Sequence, residues 1–170
     1  MKRQYISLQL RFILLVHFST GLYKSSKLTD KEALPNNWSS DYDLPAGKHT
    51  TFHGSITPET LTEGTTLYRV SGIDGGSGPW WTLEKPNNIT DVIEGLAVRP
   101  EWNDYKYLYS YTVPSNVEIK CWKGKAAKQR ITKGVNSPYL EGGTEQLWIS
   151  NIDIQDPSFN PIEIQSATGW

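Results

Sequence analysis

A single cysteine, Cys121, in a chain of 170 residues excludes an internal disulfide and a zinc site built from several thiolates. Histidine is scarce as well: His17, His49 and His53 all fall in the N-terminal third. His49 and His53 stand four apart, beside Gly54 and separated by two β-branched threonines, and they read as exposed loop residues rather than a metal pair. There is no excess of either charge. The 17 basic and 18 acidic residues cancel, which excludes the strong field that steers a protein to nucleic acid or a membrane surface. The apolar run from Phe12 to Phe18 follows Lys2, Arg3 and Arg11, contains His17, and is far too short to span a bilayer. It reads either as the core of a short secretory signal ending near Ser19-Thr20-Gly21 or as an amphipathic leader. Also missing are a glycine-rich phosphate loop ending in Lys-Ser or Lys-Thr, a nucleophile-elbow serine and a paired-histidine metalloprotease motif. Three large classes of hydrolase chemistry go with them.

Aromatic residues are abundant, with seven Trp and nine Tyr, which suits a compact mixed fold or a pocket that stacks flat rings. The length fits one domain with a modest extension. Residues 1–49 read as a leader and a loop-rich extension, polar and broken by Pro35 and Pro45, and residues 50–170 as the domain. Thr65 to Val70 is rich in β-branched and aromatic residues and reads as a strand. A glycine-rich loop, Gly72 to Gly78, leads to a second short strand, Pro79 to Leu83. Ile89, Val92, Ile93, Leu96 and Ala97 recur at helical spacing, with Asn88 or Thr90 available as a cap and Pro100 as the stop.

Beyond Pro100 the period changes to two. Tyr107, Tyr109, Tyr111 and Val113 share one face of a strand, and the turn Pro114-Ser115-Asn116 passes to a hairpin partner carrying Val117, Ile119 and Cys121. Cys121 in such a run reads as a buried, inert thiol. Lys123 to Lys133 reads as a basic surface loop or short helix, and the residues after Ile149 as a polar tail with Pro157 and Pro161. One helix among several strands gives an α+β class with small antiparallel sheets.

The chemistry concentrates in three blocks. Arg69 sits mid-strand in Leu67-Tyr68-Arg69-Val70, where a buried guanidinium needs an anionic partner, so that it either points outward or grips a phosphate. Trp80-Trp81-Thr82 follows the glycine-rich loop. In the third block Gly142-Gly143 turns into Thr144-Glu145-Gln146-Leu147-Trp148-Ile149. Strand alternation there places Leu147 and Ile149 on one face and Gln146 and Trp148 on the other, with Glu145 on the aliphatic side.

Six segments taken in order carry a resemblance: Gly64-Thr-Thr-Leu-Tyr-Arg-Val, Gly78-Pro-Trp-Trp-Thr, Pro100-Glu-Trp-Asn, Tyr111-Thr-Val-Pro, Gly124-Lys-Ala-Ala-Lys-Gln and Gly142-Gly-Thr-Glu-Gln-Leu-Trp-Ile. Over about residues 50 to 150 the chain resembles toxin domains of the ADP-ribosyltransferase-like superfamily. It is similar to their NAD glycohydrolase branch in bacterial polymorphic toxins, which includes the tuberculosis necrotizing toxin domain. The resemblance implies an ADP-ribosyltransferase-like fold whose small sheets form a cleft, and hydrolysis of the nicotinamide–ribose bond of NAD or NADP without a cofactor or metal. Residue by residue, Arg69 corresponds to the arginine that holds the NAD phosphates and ribose. Trp81 and Thr82 correspond to the stacking aromatic and supporting hydroxyl, and Gln146 to the third-block catalytic residue. At that third-block position glycohydrolase members use glutamine and many transferases glutamate, and this chain departs from both patterns by offering Glu145 and Gln146 together, with Glu145 as a further catalytic candidate. Tyr68, Trp80 and Trp148 flank these positions as further substrate-binding residues. The family further implies secretion or delivery into a target cell, action in its cytosol and a cognate immunity protein, while the charge balance and the short apolar run speak for no nucleic-acid partner and no membrane span.

Two other readings remain. A mono-ADP-ribosyltransferase on the same scaffold would use Glu145 to activate an acceptor. An aromatic-rich β module that binds carbohydrate explains the rings but neither Arg69 nor the Gly-Gly-Thr-Glu-Gln turn.

Overall fold

The computed structural model describes residues 30–72, 77–134 and 136–166. The apolar run from Phe12 to Phe18, with His17, and most of the glycine-rich loop lie outside them. The described residues form ten strands in chain order: β1 (Asp30–Lys31), β2 (Phe52–Leu61), β3 (Thr66–Ser71), β4 (Trp80–Trp81), β5 (Tyr107–Thr112), β6 (Ile119–Ala126), β7 (Gln129–Arg130), β8 (Tyr139–Leu140), β9 (Glu145–Ile149) and β10 (Ile162–Ser166). Helix is sparse: a 3-10 turn at Ser40–Tyr42, α1 (Ala46–His49), a π-helical turn at Asp91–Gly95 and α2 (Asn151–Gln155). The class is α+β with several small sheets, and among the described residues no sheet closes into a barrel. No described helix is long and apolar enough to cross a membrane.

A five-stranded sheet runs β1-β2-β6-β9-β4, a three-stranded sheet runs β10-β5-β3, and β7 pairs with β8. Two backbone hydrogen bonds join the larger sheets, Tyr68 N–H to Thr82 O (2.8 Å) and Thr82 N–H to Tyr68 O (2.9 Å). Between the two sheets lies a core of Leu67, Trp81, Tyr111, Ile119, Leu147 and Phe159 with their neighbours. Trp122 and Trp148 fill the opposite face of the five-stranded sheet, where Trp38 and Leu44 cover them. Both faces of that sheet are therefore packed, and the loop-rich stretch before residue 50 supplies one of the lids.

Several local expectations hold. The strand around Arg69, the strand after the Gly-Gly turn and the buried thiol of Cys121 are all present; burial pushes that thiol well above its ordinary pKa. Gly142 and Gly143 take φ of 70° and 99°, the left-handed conformations that favour glycine at this turn. The apolar stripe from Ile89 to Ala97 does turn, but only for the short Asp91–Gly95 segment, started by Asn88 Oδ1 accepting from Asp91 N–H.

Four expectations are corrected. β5 and β6 are not hairpin partners: β5 pairs with β3 and β10, whereas β6 pairs with β2 and β9. Alternation alone gives a strand its faces but leaves its neighbours open. Lys123 to Lys133 is in large part strand rather than loop or helix, since its first residues complete β6 and Gln129–Arg130 forms β7, with only residues 127–128 and 131–133 irregular. Its lysines mislead because they occupy the wet end of the sheet, where Lys123 pairs with Glu59. The tail folds into α2 and β10, its Asp153 carboxylate accepting from Lys120 N–H (2.9 Å) and Tyr42 Oη–H (2.9 Å). Lastly, His49 ends α1 half-buried and His53 lies exposed on β2, so neither is a loop residue.

Gly124 in β6 shows how tightly the sheet packs. A Cβ there would sit 2.8 Å from Phe52 Cδ1 and 2.9 Å from Ser55 O. Gly124→Ala is therefore expected to lower stability by about 1–3 kcal/mol through overpacking, read as a lower urea midpoint at unchanged m-value. A midpoint equal to the parent's would show that the Phe52 ring has room to retreat.

Candidate functional site

β3 and β4 meet at the junction of the two large sheets, and β9 lies beside β4. The register pairs Trp80 with Trp148 and Trp81 with Leu147. Directly opposed residues share a face, so Trp80, Trp148 and Gln146 point one way and Trp81 points into the core with Leu147. On the Trp80 side a cavity of about 390 Å³ opens between β3, β4, the π-helical turn and α1. Tyr68, Arg69, Trp80, Thr82 and Gln146 all line it, although they come from segments as far apart as residues 68 and 146. That volume suits a small organic ligand.

Arg69 is the main charged group. Its Nη1 donates to Trp80 O (2.8 Å), its Nε is buried without a partner, and no described carboxylate comes within ion-pair distance. Burial alone pulls its pKa down to about 10, which leaves it cationic at neutral pH. A cation partly withdrawn from water without a counter-ion is held at a cost that an anion would offset. Gly78 makes room for the guanidinium: a Cβ at that position would overlap it. Lys48, at the end of α1, also lines the cavity, with its Nζ 5.9 Å from the centre of the Trp80 ring. No aspartate or glutamate is among the described residues lining the cavity. Its field therefore favours an anionic ligand.

Gln146 is held in place. Its Nε2 donates to Thr51 O (2.7 Å), while Oε1 has no protein partner among the described residues. A carbonyl acceptor selects the amide's donor end, so the free end is an acceptor. A carboxylate in the same place would set oxygen against oxygen. The site is built for glutamine.

The aromatic assignment shifts by one residue. Trp81 borders the cavity but is only 2 % exposed, packed edge-on against Phe159 (5.3 Å between centroids), with its Nε1 donating to Gly78 O (2.8 Å). It is a core residue. Trp80 is the half-buried indole on the cavity side, steadied by Phe52 at 5.5 Å. Thr82 has its hydroxyl occupied, donating to Glu145 O (3.2 Å) and accepting from Glu84 N–H (3.3 Å), so it ties β4 to β9. Two expected positions lie off the cavity. Trp148 is in the core with Trp122 and Phe52, and Glu145 is exposed on the opposite face from Gln146, across from Lys125. Lys48, Trp102 and Gln129 line the cavity without having been singled out. Trp102 stands inside the Pro-Glu-Trp-Asn segment, which was its one sequence signal.

No protein-family model and no curated protein matches the chain. Among solved structures it is similar to the structure of Tne2 in complex with Tni2, at TM-score 0.45 and 12% identity, covering 65% of this chain and 88% of that one. It is also similar to the structure of Tse6 in complex with Tsi6, at TM-score 0.38 and 20% identity, covering 65% and 72%. Overlaps of this extent leave the function to be read from the cavity's own residues.

Proposed function

We propose that this protein is an NAD(P) glycohydrolase that splits the nicotinamide–ribose bond with water to give nicotinamide and ADP-ribose. One observation carries the reading: Arg69, Trp80 and Gln146, from three separated sequence blocks, line one cavity whose described residues include two cations and no carboxylate. The substrate that fits is flat at one end and carries a pyrophosphate. Arg69, with Lys48 beside it, holds the pyrophosphate through charge-assisted hydrogen bonds. Trp80 stacks on the nicotinamide ring. Cleavage passes through an oxocarbenium-like state, and nicotinamide is already a good leaving group. Gln146 Oε1 accepts from a ribose hydroxyl or from the attacking water. Positioning of this kind lowers the barrier without a covalent intermediate.

An ADP-ribosyltransferase-like ancestry of the fold, delivery into a target cell's cytosol and a cognate immunity protein belong to the same proposal, on the strength of the six-segment resemblance. A transferase reading depends on Glu145, whose exposure away from the cavity speaks against it. The test is incubation of purified protein with NAD in buffer, following nicotinamide and ADP-ribose together. Equal release of both without an acceptor supports hydrolysis, whereas turnover that appears only with an acceptor protein supports transfer. In the same assay Glu145→Gln should keep NAD cleavage within about tenfold of the parent, a loss of about 1.4 kcal/mol at most. Loss of all activity in that variant would put the catalytic residue at Glu145.

A further inference from the structure

Trp102 is 54 % exposed, which is unusual for a tryptophan, yet it lines the cavity. One of its faces is taken. The Arg99 guanidinium lies 4.7 Å from the ring centre, held by Nε donating to Ile131 O (3.2 Å) and by Nη2 pairing with Glu101 (2.7 Å). The other face has no described ring or cation on it. Ile131 directly follows β7, so Arg99 braces the Trp102 loop against the strand that carries Gln129. Gln129 lines the same cavity, half-buried, and its amide has no protein partner among the described residues. An indole with one free face and an unpaired amide on a braced frame are the two elements that recognise a purine. The face stacks on the ring, and the amide donates to a ring nitrogen while accepting from an exocyclic amine.

From this we infer that Trp102 and Gln129 form the seat for the adenine of the dinucleotide, so that the substrate spans the cavity from Trp80 to Trp102. The inference rests on the NAD reading for the identity of the ligand, and its test separates the two. Binding of ADP-ribose and of nicotinamide mononucleotide is measured by titration calorimetry on the full chain and on the variants Trp102→Ala, Trp102→Phe and Gln129→Ala. Only the first ligand carries adenine. Trp102→Ala should weaken ADP-ribose about 10- to 100-fold and leave nicotinamide mononucleotide within about twofold, while Trp102→Phe stays near the parent because a ring is restored. Gln129→Ala should likewise weaken ADP-ribose alone, by about tenfold. Equal weakening of both ligands by Trp102→Ala, or no change in either, overturns the adenine seat, as does a parent protein that does not bind ADP-ribose. A parent that binds ADP-ribose in this pattern yet releases no nicotinamide from NAD supports the seat and overturns the hydrolase.

Discussion

Arg69→Met is expected to lower kcat/KM for NAD cleavage by about 10²–10³-fold, a loss of about 3–4 kcal/mol of transition-state binding. The same change should leave the melting temperature equal to the parent's or raise it. The reason is the guanidinium's situation in the free protein: half-buried, with Nε shut off from solvent and unpartnered, and no described carboxylate nearby. Such a charge is held at a cost to the fold, and an apolar side chain of similar length removes that cost. Among the described residues only the bond to Trp80 O is given up. Arg69→Lys should rescue little, because an ammonium cannot make the planar two-pronged contact to a phosphate. Steady-state kinetics beside a thermal melt decide the matter. Arg69→Met with activity within threefold of the parent would remove the phosphate grip from the mechanism. A collapsed melting temperature would instead make Arg69 a structural residue.

The second large effect belongs to Gln146. Gln146→Ala should reduce kcat by roughly 100-fold, in the range seen when one positioned hydrogen-bonding group is removed from a reacting centre. Its cost in stability should be about 1 kcal/mol, the usual net worth of one hydrogen bond. Thr51 O keeps its second donor, Ala127 N–H at 2.9 Å, and is not left unpaired. Gln146→Glu is the sharper probe. With Thr51 O in front of it, a carboxylate finds an acceptor where the amide placed its donor. That variant should lose both activity and stability, and regain part of each as falling pH protonates the acid. A fully active, equally stable Gln146→Glu would mean that the amide is not oriented by Thr51.

The two side chains owe their positions to different parts of the fold. Arg69 is seated by β3 and by the missing side chain of Gly78, and Gln146 by the backbone of a residue 95 positions away. A substitution that disturbs either seat should mimic loss of the side chain itself. Gly78→Ala is the plainest case.

What local pattern determined by itself is considerable. Alternation set Gln146 and Trp148 on one face of β9 and Leu147 and Ile149 on the other, because successive side chains of a strand must point oppositely. The paired glycines marked the turn before it, and β-branched and aromatic residues marked the strand around Arg69. Those properties depend on a few neighbouring residues, and a sequence carries them openly. Facing is a different matter. Whether Trp80 or Trp81 meets the ligand depends on its register against β9, which pairs Trp80 with Trp148 and sends Trp81 into the core. Likewise, β5 leaves β6 for β3 and β10, the basic stretch becomes strand, and the tail becomes part of the core wall, all through contacts distant in sequence. Lys48 reaches the cavity from a stretch with no pattern at all, and Trp148, although it shares the face of Trp80, is kept from the cavity by the cover of residues 34–44. Period-two alternation divides each strand into two faces. Only the packing over the two faces of the five-stranded sheet decided which residues are core and which border the cavity.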